Sequence, residues 1–176
     1  MIATERVQRK YSMSMPRFPV SVILERKSLQ HRFADEQWQA CAVECGNPGE
    51  EGRTLVGGDE ISTRWRFDGF ALELHASESE GYFLNITAPE PKVFVLWRID
   101  DDADEPRARP QWVTASYNEA ARWLDGGEQV DGVAMAAAIL VWLRDFVDRH
   151  YKPEPHQKSV RNEQYEVERR RRRDAR

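Results

Sequence analysis

Cysteine is scarce in this chain of 176 residues: Cys41 and Cys45 are the only two. Two thiols are too few to staple a small secreted module with disulfides. Long apolar runs are missing as well. No stretch approaches the roughly 18–20 residues that a membrane-crossing helix needs, and the mean hydropathy is -0.73. The start of the chain, Met1-Ile2-Ala3-Thr4-Glu5-Arg6, has neither the apolar stretch of a secretion signal nor a twin arginine. These features together predict a cytoplasmic protein.

Catalytic signatures are also absent. There is no GxSxG elbow and no HExxH or HxH pair among His31, His75, His150 and His156. Gly57-Gly58 and Gly126-Gly127 lack the Lys-Ser/Thr of a phosphate-binding loop, and read as a turn and a helix stop. Cys41 and Cys45 fall in an extended segment, where four residues span roughly 13 Å. Two ligands of one zinc ion lie within about 4 Å, so the pair fits a metal only if the strand bulges. Asp100, Asp102 and Asp104 resemble the start of a calcium loop. The glycine and glutamate that such a loop needs are replaced by Glu105 and Gln111. The sequence therefore predicts no catalytic residue, no metal ligand and no cofactor.

What the chain does contain is core material: six Trp, seven Phe and five Tyr. Its net charge of -4 is unevenly spread, because residues 152–176 hold nine Lys/Arg against five Asp/Glu. The body is acidic and the tail basic, which argues against a nucleic-acid face on the body. Residues 1–16 read as a flexible arm, 17–152 as a single domain and 153–176 as a basic disordered tail.

Within the domain, Phe18, Val20, Val22 and Leu24 alternate with Pro19, Ser21 and Ile23, which is a strand period. Further strands are read at 37–45, 53–56, 82–87, 93–99 and 111–115. Arg64–Phe67 and Phe70–Leu74 flank Asp68-Gly69, which reads as a two-residue hairpin turn. Val93–Ile99 is apolar on both faces and is placed as the most central strand. Ser116 and Glu119 have capping-box spacing, opening a helix that stops at Asp125-Gly126-Gly127. A second helix is read from about Val133 to Tyr151. Its inward stripe is Ile139, Leu143, Phe146 and His150. The fold class predicted is α+β, mainly β: a curved antiparallel meander of seven or eight strands. It is barrel-like, similar to pleckstrin-homology-like barrels, and closed by the C-terminal amphipathic helix.

Several segments together resemble a known family. They are Phe18-Pro-Val-Ser-Val-Ile-Leu-Glu-Arg26, Gly81-Tyr-Phe-Leu-Asn-Ile-Thr-Ala-Pro-Glu-Pro91, Val95-Leu-Trp-Arg98, Glu119 to Val133, and Val147 to Pro155 followed by a basic tail. The resemblance covers about residues 17–155. It is to an uncharacterised bacterial domain-of-unknown-function family, often encoded near molybdenum-dependent formate dehydrogenases. That neighbourhood implies a non-catalytic accessory or protein-binding factor in maturation, assembly or regulation of the enzyme, with its subunits or accessory proteins as partners. The chain lacks the cysteine clusters of an iron–sulfur subunit. The loop between the two helices is the candidate protein-binding surface, through Gly126, Gly127, Glu128, Val130 and Asp131. The alternative is a binding module whose tail, Arg169, Arg170, Arg171, Arg172 and Arg173, contacts nucleic acid or an anionic surface.

Overall fold

The alternation that begins at Phe18 draws out a strand far longer than its apolar part. In the computed structural model, which describes residues 15–31, 34–100 and 106–153, β1 runs Arg17–His31. β2 (Ala34–Cys45) returns beside it, and β3 (Gly52–Gly58) and β4 (Ser62–Glu73) form a second hairpin. All pairings are antiparallel, and the strand order is β2-β1-β4-β3. Val20, Val22 and Leu24 of β1 and Trp65, Phe67 and Leu72 of β4 are buried on the inner face.

Asp68-Gly69 is not a hairpin turn. β4 runs straight through it, and Gly69 takes φ 95° within the strand. β1 pairs Val20 with Phe70 and Val22 with Phe67, so two residues of β4 face one of β1. Glycine's freedom at positive φ is used for a bulge, and both flanking apolar runs stay on one strand.

A 3-10 turn (Ala76–Glu78) then leads into a helix, α1 (Ser79–Ile86), where a strand was expected. Helix wins because Tyr82 and Asn85 then fall on one inward face. The Tyr82 ring meets Phe146 edge-on at 5.9 Å. The Asn85 amide donates to the carbonyls of Lys92 and Ala115, each at 2.7 Å, and its oxygen accepts from the Lys92 N–H at 2.9 Å. A buried amide with these partners fixes α1 to the elements on both sides.

The remainder forms a second sheet. β5 (Lys92–Ile99) pairs with β6 (Ala108–Thr114) on one side and β7 (Gln129–Ala134) on the other. β5 is thus the centre of its sheet, as its continuous apolar character requires. Between β6 and β7 lies α2 (Tyr117–Asp125), opened by Ser116, whose hydroxyl accepts from the Glu119 N–H at 3.1 Å. β7 occupies positions read as the loop and the start of the last helix. That helix, α3, spans Ala137–His150.

The protein is therefore mainly β and antiparallel, with seven strands among the described residues. They do not form one meander closed into a barrel: they form two separate sheets. α1 interrupts the ladder between β4 and β5, so the sheets meet through side chains. One apolar core spans both, with α3 contributing Ile139, Leu143, Phe146 and Val147. His150 lies outside that stripe; it is exposed and stacks on Phe146 with ring centroids 4.2 Å apart. No helix among the described residues is long and apolar enough to cross a membrane.

Candidate functional site

The outer face of the first sheet carries the densest polar chemistry in the fold. Glu25 of β1 is only 4% exposed. Its Oε1 accepts from Ser62 Oγ at 2.7 Å and from Arg64 Nε and Nη2 at 3.0 and 2.9 Å. Its Oε2 accepts from Gln39 Nε2 at 2.9 Å and pairs with Lys27 Nζ at 3.2 Å. The Ser62 hydroxyl, then Arg64, Gln39 and Lys27, overcome the opposing effect of burial and lower its pKa from 4.5 to about 2. The carboxylate stays ionised at neutral pH and ties three strands together.

Farther along the same sheet, Asp68 Oδ1 accepts from Ser21 Oγ at 2.5 Å and Arg66 Nε at 2.8 Å. The Ser21 hydroxyl and Arg66 hold Asp68 below the usual carboxylate range. Both acids have their partners inside the protein. This is the pattern of cross-strand fasteners.

The Glu25 geometry predicts an acid response. A carboxylate with a lowered folded pKa adds stability above its unfolded value, and that contribution is lost as pH falls from about 4.5 to about 2. Glu25→Gln is expected to be less stable near neutrality and to lose less over that window than wild type. Urea midpoints across the acid range check this; parallel decline of the two proteins contradicts it.

The two cysteines both lie on β2. Cys41 is the extra residue of a bulge, since β1 pairs Ile23 with Ala42 and Leu24 with Ala40. Its thiol donates to the Ile23 carbonyl at 3.5 Å, and burial pushes its pKa up. Cys45 is exposed, and neither is in a disulfide. Asp102, Asp104 and the tail arginines 169–173 lie outside the described residues.

The loop singled out from the sequence is exposed at its glycines and half-buried at Glu128, Val130 and Asp131. Gly126 and Gly127 are exposed, and Gly127 takes φ 80°. Glu128 receives both Nε (2.9 Å) and Nη2 of Arg98, which hold it below its usual pKa. Val130 is half-buried and pairs with Leu96. Asp131 projects from β7 into the seam between the sheets. Its Oδ2 accepts from the Ala40 N–H of β2 and from Trp97 Nε1, each at 2.7 Å. It serves as a pin joining two edges.

A different surface stands open. Every residue of β3 is exposed, and β3 is an edge strand. Leu55 is 61% exposed, Val56 47% and Ile61, in the β3–β4 turn, 68%. A shallow cleft there is lined by Leu55, Val56, Gly57, Gly58, Asp59 and Thr63. The inner apolar layer runs out onto this edge: across the sheet the row Ala40, Leu24, Trp65, Leu55 is exposed by 8, 0, 9 and 61%. The sequence signal was a Leu-Val pair set between Gly52 and Gly57-Gly58, read only as a short strand. Burial, and hence the edge, depended on strand order.

These features define a mainly-β, two-sheet protein with internally satisfied carboxylates and, at β3, a fully exposed edge strand that carries apolar side chains. The family described as Protein of unknown function (DUF3305) matches residues 19–160, and the chain belongs to it. No curated protein and no solved structure matches the chain.

Proposed function

We propose that this chain is a non-catalytic accessory factor that acts by binding another protein. The observation that carries the reading is the exposure of Leu55 and Val56 on the edge strand β3 and of Ile61 in the turn that follows it. Apolar side chains along an unpaired sheet edge are a known mark of a surface that another chain covers. The pairing of Glu25, Asp68 and Asp131 with groups of the protein's own strands supports the non-catalytic part, since each acts on its own fold. The resemblance to a family encoded beside formate dehydrogenases makes subunits and accessory proteins of that enzyme the first partners to test.

The test is native mass spectrometry of the full chain, purified at its natural expression level from its own cells. A complex holding a second polypeptide in fixed proportion is expected. A chain that runs alone, or only with copies of itself, overturns the reading. A complex free of formate dehydrogenase components removes the proposed enzyme link and leaves protein binding in place.

A further inference from the structure

We infer that β3 receives an extended segment of the partner as an added antiparallel or parallel strand, and that this segment is apolar at alternate positions with basic residues at both ends. The inference rests on the protein-binding reading and specifies where and how binding occurs.

Three observations lead to it. First, among the described residues β3 pairs only with β4, so one side of its backbone offers donors and acceptors to an incoming strand. Second, the buried row Leu24–Trp65 ends on exposed Leu55, so an apolar side chain on the added strand continues a layer already built. The bulge sharpens this spot, because Leu55 and Val56 together face a single interval of β4. Third, the edge is bracketed by acid: Glu50 and Glu51 precede it, Asp59 and Glu60 follow it, and Arg53 is the only basic residue in 50–60. The nearby arginines of β4 are already engaged, Arg64 by Glu25 and Arg66 by Asp68. Asp59 accepts from the N–H groups of Ile61 and Ser62, which hold its pKa down and keep it charged.

The same charges disfavour a second copy of this chain as the occupant. Antiparallel self-pairing with Leu55 against Leu55 sets Glu51 opposite Asp59 and Glu50 opposite Glu60. Like charges directly opposite destabilise a strand pair. Lys or Arg at the ends of a foreign strand reverses the sign of that interaction.

The probe is a short synthetic peptide of alternating Val and Thr with two Lys at each end, added to the full chain. Three comparisons accompany it: the peptide with Glu for Lys, the peptide with alternate backbone nitrogens methylated, and the Leu55→Lys protein. Binding is read by fluorescence anisotropy and by amide hydrogen exchange. The Lys peptide is expected to bind, to slow exchange within residues 52–58 and to weaken as salt rises. N-methylation and Leu55→Lys are each expected to weaken it by about tenfold or more. Thermal unfolding of Leu55→Lys should match wild type, because the site is at the surface; the methylated peptide tests the same point on the unaltered protein. No binding, equal binding of the methylated peptide, or equal binding of the Glu peptide each overturns the inference. A native complex whose partner leaves residues 52–58 unprotected also overturns it, and leaves the protein-binding reading standing.

Discussion

An Asp131→Ala chain is expected to unfold in urea with about 2–5 kcal/mol less free energy than wild type. The size follows from what the carboxylate holds. Ala40 and Trp97 are 8% and 7% exposed, and both give their N–H to the same oxygen. Truncation strands two buried donors at once, each costing about 1–3 kcal/mol. Ala40 sits beside the Cys41 bulge, so its N–H faces the second sheet and depends on this side-chain acceptor for the seam. Asp131→Asn keeps an acceptor oxygen and is expected to lose clearly less. A loss below about 0.5 kcal/mol for Asp131→Ala would return the residue to the role first read for it, a surface group available to a partner.

Gly81→Ala is expected to cost about 2–4 kcal/mol, although alanine is the better helix former by about 1 kcal/mol. A Cβ at this position of α1 would sit 2.2 Å from Ser116 Oγ and 3.2 Å from the Asn118 nitrogen. Ser116 has no room to yield. It is fully buried, its hydroxyl donates to Glu78 Oε2 at 2.7 Å, and it caps α2 through the Glu119 N–H. The substitution therefore combines overpacking with loss of a helix cap, the latter worth about 1 kcal/mol. Combining it with Ser116→Ala removes the clashing atom, so the double variant should be more stable than addition of the two single losses predicts. Strict additivity, read from urea curves, would mean that the contact at Gly81 is not the cause.

The Gly81 and Asp131 cases show where the sequence was legible. Strands whose apolar residues alternate against a buried face were found at Phe18–Leu24, 37–45 and Val93–Ile99, because period and burial coincide there. Ser116 announced α2 through a local side-chain bond that needs no tertiary partner. The misreadings came from residues whose role is set by distant neighbours. Asp68-Gly69 carries the same glycine signal in a turn and in a bulge, and only pairing with Val20 and Val22 decides between them. Tyr82, Phe83, Ile86 and the polar Asn85 fit a strand or a helix period equally in so short a run. The meeting of Tyr82 with Phe146, 64 positions later in the chain, settled it.

The exposed edge was illegible for a similar reason. Leu55 and Val56 look like ordinary core strand residues, and stand in solvent only because β3 falls at the end of the order β2-β1-β4-β3. Conversely, Asp131 looks like a solvated loop charge until β7 pairs with β5 and carries it to Trp97.

The open edge of β3 is what the functional account stands on. Amide hydrogen exchange of the full chain, free and in the complex isolated from its own cells, tests it most directly. The account predicts faster exchange on the open side of β3, residues 52–58, than in the inner strands β1 and β4 of the free chain, and slowing concentrated there when the partner is bound. Slowing confined to the Gly126–Asp131 loop or to the second sheet, with 52–58 unchanged, would contradict it.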